Sequence, residues 1–265
     1  MASALASQEL WQVKTRKVCD GLELEIASPR RRQYYNTGTS IWPAGKHLAG
    51  WLAQGGAGSL ERRCCVELGA GLGLVGLAAA CRGARVVVTD LAENLPALSE
   101  NCRRNTRSVT EAGGFVTAAV LDWSECAASA ESASAVVLRL ENLLGGQVEV
   151  ILGADVTWDP ALGPSLLSTI SAIAARATNR RRVGQDLDVL IAHIPRCPLL
   201  GEGCSFDIPE GDVAFPFGKA MRDAGFQLRS EVPVGDAYGT SIFHFVCHAP
   251  EVLDASAMHQ AGEKK

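Results

Sequence analysis

An α/β fold on a mostly parallel sheet is what this sequence predicts, and three observations carry the prediction. Residues 64–90, CCVELGAGLGLVGLAAACRGARVVVTD, read as strand, glycine turn, helix, short turn and strand. Short β-branched and apolar runs recur at 115–121, 148–154 and 187–193, with helical patterns at 93–104 and 164–176. Strands alternating with helices at this spacing form a parallel sheet. The last two strand-like runs, 226–232 and 241–247, are joined by a Gly-containing connector, which predicts an antiparallel closing pair.

The central stretch is the most informative. Gly69, Gly71 and Gly73 punctuate the end of its first strand, residues 74–81 suit a helix packed on a sheet, and the second strand ends at Asp90. In such sheets a ligand binds beyond the carboxyl ends of the strands, beside the first strand-to-helix turn. Glycines there let backbone N–H groups approach a ligand, and the helix start favours negative charge. Asp90 at a strand tip can accept hydrogen bonds from both hydroxyls of a ribose. Gly71-x-Gly73-x-x-Gly76 matches the dinucleotide pattern literally, with Asp90 at the expected distance. That frame begins two residues after the strand ends, however, and in the frame natural to the strand, from Gly69, the third glycine position is Leu74. Glu67 is the other sign. A carboxylate inside an apolar strand is costly without a partner, and a cationic ligand group or its donors would supply one. Acid, alternating glycines and a second acid at the next strand end resemble the first motif of S-adenosylmethionine-dependent methyltransferases. A ligand-free tight turn and a dehydrogenase are the alternatives.

Composition narrows the class. With 47% hydrophobic and 20% charged residues among 265, the chain has ample core for one large α/β domain or two small ones. A formal net charge of −4 argues against a general polyanion-binding surface, so no direct nucleic-acid contact is expected. No apolar stretch approaches the roughly 18 residues that span a bilayer, and MASALASQEL lacks the pattern of a signal peptide. Nine cysteines without a C-x-x-C pair point to reduced thiols rather than a disulfide scaffold or zinc site. A monomer in the cytoplasm, and in the nucleus as well, is the expectation. No phosphate loop, nucleophile elbow or H-E-x-x-H helix occurs.

In chain order, residues 1–9 are small and polar. Residues 11–26 alternate around Asp20-Gly21, a hairpin signal, with Leu22, Leu24 and Ile26 on one face. Such an appendage either stabilises the domain or covers a cleft or docks a partner. Arg30, Arg31 and Arg32 form a charge run, either solvated or in contact with a substrate or a nucleic acid. Residues 37–53 hold a helix with Pro43 first and Leu48, Trp51 and Leu52 inward; Trp42 before it is either core or a wall over the cofactor. A helix over 93–104 is expected, capped by Asn94, with Leu95, Leu98 and Cys102 inward. Asp122 after the third strand can accept from an adenine amino group and Trp123 can pack on its ring; a tryptophan closing the core is the alternative. Residues 124–147, rich in Ala, Ser and Glu, read as an enlarged surface insertion. The fourth strand runs into Asp155-Val156-Thr157-Trp158, and an amphipathic helix follows over 164–176. His193 at the end of the fifth strand reads as a hydrogen-bonded residue before a base. Residues 195–212 form a long Pro/Gly-rich loop, a candidate substrate lip. A helix over 214–224 ends at Gly225. The organisation is thus an extension with a hairpin over 1–36, a main domain over 37–249 and a tail over 250–265.

TGTSIWPAGKHLAGWL, VELGAGLGLVGLAAACRGARVVVTDL, LPALSENCRRN, LDW and ADVTW follow one another in the order and spacing of the family 16 methyltransferases. The chain resembles that family over roughly residues 10–250. The resemblance implies a Rossmann-like seven-β-strand sheet, S-adenosylmethionine as cofactor with S-adenosylhomocysteine as product, and methylation of a lysine in another protein. Family members act on molecular chaperones, elongation factors and calmodulin, and one branch is linked to histone arginine. The resemblance supports the adenine role of Asp122 and Trp123. It also places the Asp155 motif, Asp-x-x-Tyr in the family, at the methyl-transfer site. Trp158 stands where the family has tyrosine, which keeps a wall and removes a hydroxyl. The expected cofactor residues are Trp42, Glu67, Gly69, Gly71, Gly73, Asp90, Leu91, Asp122, Trp123 and Ala154, and the expected catalytic residues are Asp155 and Trp158. Glu67, Gly69 and Gly71 would take the amino-acid end and Asp90 the ribose. A lysine amine at pH 7 is on the order of 4.6 kcal/mol from its neutral form, a cost that an apolar aromatic channel walled by Trp158 and Trp42 lowers by desolvation. Asp155 would orient the amine. An arginine or small-molecule methyltransferase and a non-catalytic cofactor-binding module are the alternatives.

Overall fold

The computed structural model describes residues 10–30, 36–178, 186–195 and 216–248. Arg31, Arg32, nearly all of the 195–212 loop and the terminal segments 1–9 and 249–265 lie outside the described residues. A hairpin of β1 (Trp11–Cys19) and β2 (Leu22–Pro29) precedes α1 (Pro43–Ala53). Then come β3 (Cys64–Leu68), α2 (Leu74–Ala80), β4 (Arg85–Asp90), α3 (Leu95–Glu111) and β5 (Phe115–Val120). The second half runs α4 (Ser124–Ala128), α5 (Ala130–Leu144), β6 (Val150–Ala154), α6 (Gly163–Thr178), β7 (Leu187–His193), α7 (Pro216–Asp223), β8 (Gln227–Pro233) and β9 (Ser241–Cys247).

The main sheet has seven strands in the order β5-β4-β3-β6-β7-β9-β8. The first five are parallel, and β9 is antiparallel to both β7 and β8. The chain steps outward from β3 to β5 and then resumes on the other side of β3 with β6. The strand order therefore reverses between β3 and β6, where such sheets open a ligand crevice.

Burial follows the two-residue period of a strand. Cys65, Val86, Val88, Leu152 and Leu190 face α1, α2 and α3, and meet Leu48, Leu52, Val75 and Leu98 there. Val66, Val87, Ile151, Val189 and Ile191 face the other layer, against Leu140, Leu144, Ile170 and Met221. Each fully buried Leu or Ile contributes roughly 1.5–3 kcal/mol. Helices on both faces leave these strands no polar side, which is why they read as continuous apolar runs.

Two expectations need correction. Residues 124–147 are no surface insertion: α4 and α5 form the crossover between β5 and β6, and Val136, Val137, Leu140 and Leu144 are buried. Their helical spacing was hidden by an Ala/Ser-rich outer face. Ser129 caps α5 by accepting from the Ser132 N–H, and Gly145 ends it in the left-handed region at φ 68. The helix after β4 runs to Glu111, and Asn94 precedes it without a side-chain cap.

The hairpin turns at Asp20-Gly21, as the sequence signal indicates. It lies on α3 rather than over the cleft described below. Leu24 and Ile26 are buried there. The edge of β2 that faces away from β1 is paired by two side chains: Asn105 accepts from Glu25 N (3.0 Å) and donates to Glu25 O (2.8 Å). Asn101 accepts from Ala27 N (2.7 Å) and donates to Ala27 O (3.1 Å). Spaced four apart on one helix face, the asparagines act as a short third strand. Arg30 donates to Trp11 O at 3.2 Å and so belongs to the hairpin.

Candidate functional site

A cleft of about 680 Å³ opens at the carboxyl ends of β3, β4 and β6, a size usual for a small-molecule site. Its floor is the turn after β3. Gly69 and Gly71 lie in the left-handed region, at φ 62 and 55. A Cβ at Gly71 would stand 3.0 Å from the Gly38 carbonyl oxygen, and one at Gly69 would stand 2.9 Å from Val156 and 3.2 Å from Trp123. Of the twelve residues singled out from the sequence, all but Gly73 line the cleft. Gly73 turns away from it: at φ 81 it begins α2, and a Cβ there would meet Leu98 at 2.7 Å.

Glu67 is buried, and its Oε2 accepts from the Gly76 N–H at 2.8 Å in the first turn of α2. Burial pushes its carboxyl up to about 8; the Gly76 N–H pulls the other way, and nearby Asp90 adds to the rise. Gly76, which completed the literal dinucleotide pattern, is there for packing. Its Cβ would stand 2.3 Å from Val88 Cγ1 and 2.6 Å from Glu67 Oε2.

Two consequences bear on the ligand. The backbone donor that a pyrophosphate would seek at α2 is already held by Glu67. Moreover, the described lining includes Glu67, Asp90, Glu93, Asp122 and Asp155 but no Lys, Arg or His. Such a cleft attracts cations and opposes a doubly charged phosphate bridge.

Asp90 is held by three protein donors. Its Oδ2 accepts from Gly71 N (2.6 Å), and its Oδ1 from Leu91 N (2.8 Å) and from Asn94 Nδ2 (2.8 Å). A carboxylate offers about four lone-pair positions, so roughly one remains open. Leu91, beside it, is exposed on the rim. Asp122 is exposed and accepts from Ser124 N at 2.9 Å. The Ser124 hydroxyl and N–H hold its carboxyl below the ordinary range. Trp123 is half-buried, with its ring against Gly69.

Across the cleft, β6 ends at Ala154 and the chain turns sharply at Asp155. That residue is buried, sits at φ 59 and donates its N–H to Ala192 O at 2.9 Å. Non-glycine residues visit this region rarely, Asp and Asn among the least unwillingly. Trp158 is 44% exposed, on the rim of the cleft and outside the core. Trp42, 41% exposed, donates its indole N–H to Thr37 O at 3.0 Å. His193 is buried off the cleft, with Nδ1 2.7 Å from the Thr157 hydroxyl, and so ties the loop after β6 to β7. The sequence reading missed Asn36, Glu93, Leu162 and Ser165, which also line the cleft. It also misassigned Asn94, whose side chain serves Asp90 and not the helix. No local pattern distinguishes these residues from ordinary polar or rim positions.

The family described as lysine methyltransferase matches residues 20–184. The chain is 32% identical over 137 residues to mouse protein N-lysine methyltransferase METTL21A, covering 51% of this chain and 55% of that protein. It is likewise 32% identical over 139 residues to histone-arginine methyltransferase METTL23 of Xenopus laevis, covering 52% and 53%. The chain thus spans about half the length of the curated relatives it matches. Among solved structures, a Pyrococcus horikoshii protein described as a transferase superposes with a TM-score of 0.51 at 14% identity, over 91% of this chain and 73% of that one. That likeness is one of fold.

Proposed function

The chain belongs to the lysine methyltransferase family, and on that premise we propose that it transfers a methyl group from S-adenosylmethionine to a lysine side chain of another protein. One observation carries the proposal: an acidic cleft at the strand-order reversal in which Glu67 holds the α2 donor that a dinucleotide would use. S-adenosylmethionine brings to such a site a methyl already activated on a sulfonium. The residues present fit it. Gly69 and the turn up to Gly71, whose own N–H is held by Asp90, border the amino-acid end, with Glu67 behind them as the counter-charge for an ammonium. Asp90 serves the ribose, and Asp122 with Trp123 serves the adenine. Leu91 and Ala154 fill the sides.

What remains for the protein is alignment of the acceptor nitrogen at roughly 3 Å and control of its proton. Trp158, Trp42 and Leu162 make the mouth apolar, which favours the neutral amine. Asp155, turned into the cleft by its left-handed backbone, orients that amine. The identity shared with an arginine-modifying relative supports a second reading, in which the acceptor is a guanidinium.

Incubation with tritiated S-adenosylmethionine and cell extract, followed by identification of the labelled residue, tests the proposal. A labelled lysine is expected, and a labelled arginine selects the second reading. Binding of S-adenosylhomocysteine without any labelled protein would reduce the chain to a binding module. Saturable binding of NAD alone would end the methyltransferase reading.

A further inference from the structure

Asp90 is crowded for a residue expected to receive a diol. Two ribose hydroxyls need two acceptor positions, and the protein leaves roughly one. Of the three donors in place, the N–H groups of Gly71 and Leu91 are backbone and fixed, whereas Asn94 donates from a side chain. Asn94 is therefore the donor that must yield or shift when a diol arrives.

Asn94 is not isolated. Its Oδ1 accepts from Asn36 Nδ2 at 2.7 Å, and Asn36 Oδ1 accepts from Gly38 N at 3.0 Å. Asn36 O accepts from the Thr39 hydroxyl at 3.0 Å, and Thr37 O accepts from the Trp42 indole N–H at 3.0 Å. The direction of this chain is dictated by its ends, because an ionised carboxylate only accepts and a backbone N–H only donates. Neither amide can flip without breaking the chain. The segment it organises passes over the glycine turn: a Cβ on Gly38 would collide with the Asn94 side chain (2.2 Å to Nδ2), and the Gly38 carbonyl roofs Gly71. It ends at α1, where Gly45 faces Ala154, 3.9 Å from the position of an added Cβ. A strap thus runs from the tip of β4 to the tip of β6.

We propose that Asn94 and Asn36 are positioning residues that couple the ligand state of Asp90 to the place of Trp42, so that filling the ribose side of the cleft sets the wall on the acceptor side. This rests on the proposed function in taking the ligand of Asp90 to be a nucleoside diol. It adds a direction of communication to that site. By linkage, whatever holds Trp42 in place also changes affinity at Asp90.

The test uses the full chain labelled with 5-fluorotryptophan, with the Trp42 resonance assigned by Trp42→Phe. Adenosine, which carries the diol and no amino-acid end, should shift that resonance, and 2′,3′-dideoxyadenosine should not. Asn36→Ala breaks the strap beyond Asn94 and leaves Asp90 its three donors. At saturating adenosine the induced shift should fall to below about one fifth. Asn94→Ala should abolish the shift as well; if that variant does not fold, Asn36→Ala carries the test alone. Should adenosine bind too weakly to saturate, S-adenosylhomocysteine serves as the titrant in the same variants. A full shift in folded, ligand-bound Asn36→Ala, or an equal shift with the dideoxy compound, overturns the relay. Failure of the wild-type chain to bind S-adenosylhomocysteine while adenosine still moves Trp42 counts against the methyltransferase reading and leaves the relay standing.

Discussion

The β4 side and the β6 side of the cleft are both strand ends, and they are finished in opposite ways. On the β4 side almost every polar group is engaged: Asp90 by three donors, Glu67 by α2, and Asn94 and Asn36 by each other. On the β6 side a buried aspartate sits on a left-handed backbone, and two tryptophans and Leu162 stand at least a third exposed. A side finished by its own hydrogen bonds presents a mostly fixed frame to one ligand, with Asn94 the donor that has to shift. A side that leaves aromatic surface in water is completed by something that arrives later. This contrast suits a constant cofactor opposite a macromolecular acceptor.

The sharpest way to break the contrast is at Asp155. Asparagine tolerates the left-handed region as aspartate does, so Asp155→Asn removes charge without adding backbone strain. Methylation should fall at least about 100-fold, roughly 2.7 kcal/mol of transition-state stabilisation. S-adenosylhomocysteine affinity should stay within about threefold, under roughly 0.7 kcal/mol. Wild-type turnover by this variant would remove Asp155 from the chemistry. Asp90→Ala should do the reverse, weakening S-adenosylhomocysteine by about 1–3 kcal/mol, or about 5- to 150-fold. Calorimetry on the folded variant decides it, and an unchanged Kd takes Asp90 out of the site.

Smaller effects sharpen the picture further. Trp158→Ala should lower single-turnover rate several-fold with little change in melting temperature, because the ring is 44% exposed. Trp158→Tyr, which restores the residue of the resembled family, should keep most of the rate; parallel loss of rate and melting temperature in the alanine variant would mean the ring is structural after all. The smallest signal is a proton. Glu67 ordinarily titrates near 4.5, and in the fold near 8. Between those values the folded state binds more protons than the unfolded one. Stability therefore falls as pH rises through that window and levels off above it. Glu67→Gln should flatten this slope in denaturant titrations. A ligand ammonium placed beside Glu67 should favour the carboxylate, so binding of S-adenosylhomocysteine at pH 6.5 should release a fraction of a proton in wild type and none in Glu67→Gln. Equal calorimetric enthalpies in buffers of different ionisation heat would show no release and place the ammonium elsewhere.

The parts that sequence revealed are those in which one residue type has one use. Fully apolar runs such as Val86–Val88 announced buried parallel strands, and Asp20-Gly21 announced its turn. Gly69 and Gly71 announced a turn that tolerates no side chain. What stayed hidden depended on partners distant in the chain. Glu67 was read as a charge in need of a partner, and one partner is a backbone N–H nine residues on, which no pattern of side chains displays. Asn94 stood where a helix cap belongs, yet Asp90 competes for its amide and holds it. In residues 124–147 the composition of the outer face outweighed the spacing of four buried aliphatic residues.

The two asparagines of α3 that hold β2 also bear on how this protein behaves when concentrated. An open strand edge is a template on which other chains can add, and repeated addition is a route to fibrils. Asn101 and Asn105 close the inner edge of the hairpin with side chains that present no further ladder. Within the hairpin, among the described residues, the outer edge of β1 stays open, and it carries Lys14, Arg16 and Lys17 in exposed positions and an irregular register between Lys17 and Cys19. Like charges stacked at every addition and a kink at one end make that edge a poor seed. Removing both asparagines would leave β2 with unpaired backbone groups and give the hairpin a second, less charged edge from which association could start.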